Sequence, residues 1–445
     1  MPELIKNAAY KLKLQDKHFL MLTYAYPPFK AVGSFRSYYV AEELQKRVGS
    51  VKVITTKNYA FLPFQEMPIN SGISVKRVYS FDYNFVKGIL SKYRQASKSK
   101  TNIHSKTQKG FGWSHRILDT FPFNIIIGLG GIFYIFFAFF RALPYLNKTT
   151  HIYSSFRPYS DHVVAFLLKT IKPSLFWIAD FRDIHIDSEN LNVLSAKYQH
   201  AINRFFFRKA NVLTTVSEGY LNPLRQYNSN SVVLSNGYND SMVNRFESVA
   251  TNKNTNKFRI AHVGSLYNGR RDPTFLFKVI SSLVESNQIE IDDLQFSYAG
   301  PNGQLWYNLL EENGLEFTCQ DLGLINHEEA IGLQKSSDIN LMITWATKQG
   351  GTFPAKFFEY LVAQKPILTL INGERDIEFE KIFDTYNIGQ LGYNNDSEFK
   401  AIADFVLLHY NHWKRKSTSE LVSFEQILSQ YHWNNIICKL LEITN

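Results

Sequence analysis

The 445-residue sequence has only two cysteines, Cys319 and Cys438. Their spacing is not that of metal-ligand pairs, which argues against a disulfide framework or a structural zinc site and fits a reducing compartment. Residues Met1 to Gln15 are polar and charged, without the hydrophobic core of a signal peptide, so a cytoplasmic location is expected. No Asp-X-Asp pair stands at a suitable strand end, so a divalent metal is not implied, and no cofactor is expected. Acidic residues are missing from Tyr83 to Leu118, which holds Lys87, Lys92, Arg94, Lys98, Lys100, Lys106, Lys109 and Arg116. That one segment carries +8 of the formal net charge of +10, so the basicity is local. Charge of either sign is missing from Thr120 to Phe140, where Phe121, Phe123, Phe133, Phe136, Phe137, Phe139 and Phe140 crowd together.

By length alone the uncharged run reaches transmembrane size. Pro122, Gly128, Gly130 and Gly131 interrupt it. Strand-like segments of what reads as one domain lie on both sides, so a span would split one sheet across a bilayer. The run then reads first as a buried core helix, next as a helix dipping into one leaflet, and last as a true span. The second reading draws on the basic segment beside it, since each Lys or Arg near an anionic surface contributes about 1 kcal/mol. The basic segment is either a solvated loop or a membrane-seeking one. An anionic membrane surface is thus an expected partner, with peripheral association at the inner face of the cell membrane. Nucleic acid is not expected, because the segment lacks the interleaved aromatic platform of single-strand binders.

What is present points to two filled α/β cores. Hydrophobic content is 45% and aromatic content 15%, and the length suits two domains. Strands are expected at His18–Tyr24, Val51–Thr56, His151–Ser155, Leu175–Ala179, Val212–Val216 and Ser231–Leu234. Helices are expected at Tyr38–Arg47, Asp161–Thr170 and Ser195–Lys209. Asp240–Lys257 reads as a polar linker. The pattern then restarts with strands at Phe258–Val263, Leu294–Ala299, Ile339–Thr344 and Pro366–Leu370 and a helix from Thr274 to Glu285, and it ends in a helical stretch from Glu420 to Ile443. The expected domains are 1–242, containing the basic and apolar segments, 243–419, and a C-terminal helix over 420–445. In such doubly wound sheets ligands sit at the carboxyl ends of strands.

One such end carries the richest motif, Gly350-Gly-Thr-Phe-Pro-Ala-Lys-Phe-Phe-Glu-Tyr-Leu361. Two glycines allow close backbone approach to a ligand. Pro354 suits a first helical turn, whose free N–H groups can receive a diphosphate. Lys356 adds positive charge. Glu359, one turn on, can accept hydrogen bonds from both ribose hydroxyls. The competing reading is a surface helix with an internal Lys356–Glu359 pair.

Further motifs fall at other strand ends: Tyr26-Pro-Pro…Gly33…Arg36, Ala179-Asp-Phe-Arg-Asp183, Thr215-Val-Ser217, Asn236-Gly-Tyr238, Val263-Gly-Ser-Leu266 and Gly323…His327-Glu-Glu-Ala330. Together with Lys356-Phe-Phe-Glu-Tyr-Leu361, in this order and spacing, they resemble the family 4 retaining glycosyltransferases. These have the GT-B architecture: two Rossmann-like doubly wound α/β domains facing a central cleft, with a C-terminal helix packing back on the N-terminal domain. The forms Asp-Phe-Arg-Asp and Lys-Phe-Phe-Glu-Tyr-Leu are similar to those of enzymes building bacterial surface polysaccharides and lipid-linked glycans.

The resemblance implies that the second unit binds a nucleotide diphosphate sugar and the first an acceptor. Arg270 or Arg271, with Lys356, would neutralise the leaving diphosphate. Gly33 would let the first loop approach it, Glu359 would hold the ribose, and Leu322, Gly323 and Leu324 would meet the base through their backbone. His162 is the candidate histidine near the donor sugar, or else a helix residue packed on the sheet. Asp183 is a second catalytic candidate, and Asp180 a turn cap. In this family a glutamate usually stands eight positions before the ribose-binding one, where this chain has Gly351. The backbone N–H groups of Gly350, Gly351, Thr352 and Phe353 would then take over its contacts, or the sugar is a deoxy or acetamido type. Two other readings stay open: a nucleotide-sugar 2-epimerase of the same architecture, and a catalytically degenerate nucleotide-binding homologue.

Overall fold

The computed structural model describes residues 13–28, 32–57, 72–82, 85, 122–126, 128–182, 193–251, 256–267, 269–346, 353–416 and 423–444. They form two compact units. The first comprises Met1–Val216, Tyr220–Ser235 and Ile437–Asn445, and the second Ser217–Gly219 and Asn236–Ile436.

In the first unit the order is β1 (His18–Leu22), α1 (Val32–Gln45), β2 (Ser50–Thr56), β3 (Ser74–Val78), α2 (Phe123–Ile126), α3 (Gly131–Ala142), β4 (His151–Phe156), α4 (Ser160–Ile171), β5 (Phe176–Phe181), α5 (Val193–Phe207) and β6 (Val212–Thr215). Helix α6 (Glu218–Arg225) then leads to β7 (Ser231–Val233). The seven strands are parallel, in the order β3-β2-β1-β4-β5-β6-β7. Every residue of β4 and β6 is buried, as a sheet covered on both faces requires.

A charged pair lies inside this unit. The Arg36 guanidinium, on α1, donates from Nη2 and Nε to the two carboxylate oxygens of Asp180 on β5, at 2.7 and 3.0 Å. It also donates to the carbonyls of Leu234 and Ser235 beyond β7. Thr214 on β6 donates to Asp180 at 2.7 Å. Both charged side chains are essentially inaccessible. Burial alone would raise the Asp180 carboxyl, but Arg36 and the hydrogen bonds outweigh it and hold it below the usual carboxylate range. Asp180 is therefore a clamp between four elements, not the turn cap expected from sequence.

The second unit begins with α7 (Asp240–Ser248), where a linker was expected. Asn239 caps that helix by accepting from the Met242 N–H at 3.0 Å. Met242, Val243 and Phe246 then pack on the unit's core, a one-face spacing hidden among polar neighbours. Next come β8 (Phe258–Val263), α8 (Thr274–Glu285), β9 (Leu294–Ala299), α9 (Gly303–Glu311), β10 (Cys319–Asp321), α10 (His327–Ser336), β11 (Ile339–Ala346) and α11 (Ala355–Ala363). The unit closes with β12 (Ile367–Gly373), α12 (Ile377–Thr385), β13 (Gly389–Tyr393), α13 (Phe399–Lys414) and α14 (Glu425–Tyr431). Its six strands are also parallel, in the order β10-β9-β8-β11-β12-β13. The strand order reverses between β8 and β11, which makes their carboxyl ends the switch point where ligands bind in such sheets. Gly237 belongs here too. A Cβ on it would lie 2.2 Å from the Tyr431 carbonyl, so glycine lets the chain pair closely with the end of α14.

From Ile437 onward, within α15 (Trp433–Ile443), the chain is part of the first unit again. Lys17 donates to both the carbonyl and hydroxyl of Thr444, at 2.9 and 2.8 Å.

The uncharged run forms α2 and α3. One face of α3 is core: Tyr134, Ile135, Ala138 and Ala142 are buried. Helix α3 has 12 residues, and among the described residues no helix is long and apolar enough to cross a membrane. The basic segment Tyr83–Leu118 lies, apart from Phe85, outside the described residues.

Candidate functional site

At the β8–β11 switch point, side chains from several elements converge within the second unit. Helix α11 starts after Pro354, which is its N-cap, with no acidic residue in its first turn and no side-chain cap. The Phe357 N–H folds back to the Pro354 carbonyl, so the terminus presents the N–H groups before it, with the positive end of the helix dipole behind them. Phe353 is buried, its ring 4.7 Å from Phe379. Its side chain anchors the loop in the core, so only its backbone is placed to meet a ligand. Gly350, Gly351 and Thr352 lie outside the described residues.

Lys356 and Glu359 form the pair expected of neighbouring turns, Nζ to Oε2 2.6 Å. This pair is not a bland surface bridge, because Glu359 is only 12% exposed in its side chain and is held from a second helix. Gln334, buried on α10, donates its Nε2 to the same Oε2 at 3.0 Å. Both donors use Oε2, which leaves Oε1 for another donor. Nothing in the sequence singled out Gln334, 25 positions away. His327, at the start of α10, joins the cluster electrostatically: burial holds it below its usual range, against the pull of Glu359 and with the push of Lys356.

The β8 end is built by close approach. A Cβ on Gly300 would lie 2.1 Å from the Gly264 carbonyl, so only glycine lets the loops after β8 and β9 meet. Asn302 accepts from the Leu266 N–H at 3.0 Å. The Asp272 N–H donates to Asn372, at the end of β12. These bonds fix the segment carrying both expected arginines. Arg270 is exposed over the Trp345 ring, 5.3 Å from its centroid. Arg271 is half-buried over Tyr267, at 4.5 Å. Burial lowers the Arg271 pKa, and this charge and Lys356 both act on His262, so two cations converge on one strand end.

His262 was not anticipated. It is buried at the end of β8 among Tyr298 and Trp306, and its Nδ1 faces the Leu341 carbonyl at 2.9 Å. That contact makes Nδ1 the protonated nitrogen. Nε2 is left as an acceptor without a hydrogen-bond partner among the described residues, facing Gly264. Burial lowers the His262 pKa to about 4. Since an unfolded histidine titrates near 6.5, the unfolded chain takes up a proton between pH 6.5 and 4 that the folded one refuses. Stability from this group is thus full above pH 6.5 and falls on acidification, by up to about 1.4 kcal/mol per pH unit. Urea titrations at stepped pH should give a shallower acid limb for His262→Gln than for the parent chain. Identical slopes would mean that the native ring protonates freely.

The base-side loop is partly spent on structure. Leu322 N–H donates to the Tyr298 carbonyl, and the Gly323 carbonyl accepts from Gly300. Gly323 has φ 62°, and its N–H turns back to Asp321. Leu324, 82% exposed, has its side chain in solvent. A cavity of about 580 Å³ opens beside this loop, lined by Arg259, Gln320, Leu322, Glu328 and Ser336 among others. Its lining includes neither Lys356 nor Glu359, so the strand-end chemistry lies outside it.

In the first unit the expected residues part company. Asp183 lies outside the described residues. His162 does not reach a surface: it is fully buried on α4, bonded through Nδ1 to Ser154 at 2.7 Å, with Phe181 at 4.8 Å and Phe207 at 5.2 Å. The alternative reading of a packed helix residue describes it, and His162 leaves the site. At Gly33 the neighbour is Arg182, whose Nη1 lies 1.4 Å from where a Cβ would be. The guanidinium fills the space beside Gly33 and is held by the carbonyls of Phe156 and Arg157. Arg182 belongs to the Asp-Phe-Arg-Asp motif, whose spacing alone does not show this contact. Arg36 is turned inward on Asp180. Among the described residues no group of three or more His, Cys, Asp or Glu side chains is arranged to hold a metal ion.

No family model and no curated protein sequence matches the chain. Solved structures do. A sucrose-phosphate synthase from Thermosynechococcus elongatus is 12% identical, with 96% of this chain and 98% of that one covered at a TM-score of 0.58. The α,α-trehalose-phosphate synthase (UDP-forming) from Burkholderia xenovorans, in complex with glucose-6-phosphate, is 10% identical over 96% and 100%, at 0.57. The lipopolysaccharide outer core galactosyltransferase WaaB is 11% identical over 96% and 99%, at 0.52. At such identities the likeness speaks for the fold, and the chain has the two-domain α/β fold of GT-B glycosyltransferases, as its motifs led one to expect.

Proposed function

We propose that the protein is a glycosyltransferase that moves a sugar from a nucleotide diphosphate sugar to a lipid-linked or polysaccharide acceptor. The reaction retains anomeric configuration and serves cell-surface glycan synthesis at the cytoplasmic face of the membrane. The observation that carries this reading is the Glu359 carboxylate, only 12% exposed in its side chain and held by Gln334 and Lys356, at the switch point of the second sheet. In this reading Oε1 of Glu359 accepts from the ribose. Lys356, Arg271 and the more exposed Arg270 take the diphosphate, with the N-terminus of α11. The backbone of Leu322, Gly323 and Leu324 borders the base. Gly350, Gly351, Thr352 and the backbone of Phe353 border the sugar and its phosphate. Chemistry then rests on stabilising the charge that develops on the leaving diphosphate. That group can itself draw the proton from an acceptor hydroxyl attacking on the same face, with no metal and no enzymic nucleophile.

A thermal-shift screen of nucleoside diphosphates and their sugars tests the donor half. Ligand at 100 times its dissociation constant stabilises the native state by about 2.7 kcal/mol. Glu359→Ala should lose about 1.5–3 kcal/mol of that affinity, the worth of hydrogen bonds to a charged group. An unchanged shift in the variant would remove Glu359 from the ribose. Isomerisation of the free nucleotide sugar without an acceptor would favour the epimerase reading, and binding without any turnover the degenerate one.

A further inference from the structure

We propose that the outward face of α2 and α3 is a membrane-docking surface that seats in one leaflet of an anionic bilayer. The proposal deepens the membrane location just given but rests on the first unit alone. A helix on a soluble surface shows the core one apolar stripe and the solvent a polar one. Helix α3 has no polar stripe. Opposite its buried Tyr134, Ala138 and Ala142 stand Ile132, Phe133, Phe136 and Phe140, which are 50, 52, 55 and 52% exposed. Phe123 and Ile126 of α2 extend the patch, at 43 and 46%.

The patch is braced from beneath and beside. The Phe81 ring, itself half-exposed after β3, meets Phe133 edge-on at 5.7 Å and stacks on Tyr79 at 6.2 Å. Phe136 and Phe140 lie ring to ring at 4.7 Å. Asp82 fixes the loop before α3 by accepting from the Gly130 N–H at 3.0 Å. The aromatic side chains are therefore held in place while still open to solvent.

Charge identifies the occupant. Asp82 is the only acidic residue in 72–82 or 122–148, and it is buried. Lys57 sits over the exposed Tyr79 ring at 4.0 Å, and Arg141 is exposed at the end of α3. The sequence between Asp82 and Pro122, which joins this patch at both ends, carries the eight basic residues of Tyr83–Leu118 and a single acid, Asp119. Apolar rings beside a large excess of cations match an anionic lipid surface: rings enter the acyl boundary while Lys and Arg meet the headgroups. The 12-residue length of α3 is too short to span, since a crossing helix needs about 20 residues. The helix therefore lies along the membrane plane.

Flotation of the full chain with vesicles tests this. With phosphatidylcholine containing 30% phosphatidylglycerol, wild type should partition at least tenfold more strongly than with phosphatidylcholine alone. Partitioning should drop at least tenfold in Phe136→Ser/Phe140→Ser. A chain with Lys87, Lys92, Arg94, Lys98, Lys100, Lys106 and Lys109 changed to Gln should lose the preference for anionic vesicles. As a measurement independent of those variants' folding, Phe136→Trp should give a blue-shifted emission on anionic vesicles and none without them. Equal partitioning of the Phe variant and wild type, or an unmoved Trp emission, overturns the proposal. So does a wild type that ignores vesicles and forms a dimer broken by Phe136→Ser/Phe140→Ser, since a second copy then covers the face. A nucleoside diphosphate thermal shift run in parallel keeps the readings apart: its loss with vesicle binding intact counts against the glycosyltransferase reading only.

Discussion

Asp180→Ala should destabilise the first unit by about 3–5 kcal/mol, the cost of stranding one partner of a buried ion pair. Arg36 would keep its carbonyl contacts to Leu234 and Ser235 but lose its counter-charge in a place water does not reach. Thr214 would lose its acceptor as well. The double variant Arg36→Met/Asp180→Leu should recover much of the loss, because it removes both charges together. Urea unfolding monitored by far-ultraviolet dichroism would measure both. A single variant within about 1 kcal/mol of wild type would mean that the pair is hydrated after all. The pH dependence follows from the depressed Asp180 carboxyl. Its contribution is full above the ordinary carboxylate pKa and is lost only as pH falls through the lower folded value. Acid should therefore weaken wild type relative to the double variant at the low end of the scale, while near neutrality the difference stays flat.

The second large effect concerns chemistry. Lys356→Met should lower kcat by about 10²- to 10³-fold, comparable to removing one strong donor from a charge-stabilising site. The donor found by thermal shift would serve as substrate. Lys356→Arg should recover part of the loss, since it keeps the charge but changes the geometry of a single-point contact. The split between constants matters. A raised KM with unchanged kcat would assign Lys356 to binding alone, whereas a fall in kcat places its contact in the transition state. The variant also frees Glu359 from its 2.6 Å partner, so a parallel Glu359→Gln series separates loss of the cation from release of the carboxylate.

Periodicity made most of the fold readable. The bounds of β8, α8 and β9 are those expected, because each is an unbroken apolar or amphipathic run between clear turn residues. The strands that escaped notice are short or polar: β3 is Ser-Val-Lys-Arg-Val with four half-exposed residues, β10 has only three residues, and β13 is Gly-Gln-Leu-Gly-Tyr. Their strand character comes from neighbours in the sheet rather than from their own composition. Helix α7 was hidden because most of its nine residues are polar, three of them charged, while its cap and apolar contacts are supplied by context. For the site, the motif around Lys356 and Glu359 was legible from local spacing. The partners were not. Gln334 and His262 enter through the fold, and Arg36 meets Asp180 across 144 positions, a pairing no window reveals. The misplacement of His162 has the same origin. Sequence puts it just after a strand end, but the turn of α4 points it into an aromatic core.

The bonds from Lys17 to Thr444 join residues 427 apart. They bear on how the protein is made. At about 5–20 residues per second of synthesis, Lys17 waits on the order of half a minute or more for its partner to leave the ribosome. Translation of the first unit thus starts before that of the second and is completed after it, with part of its interior standing open in the meantime. A nascent chain stalled before Ile437 holds an incomplete first unit however long it waits, and protease should find that unit before it finds the second.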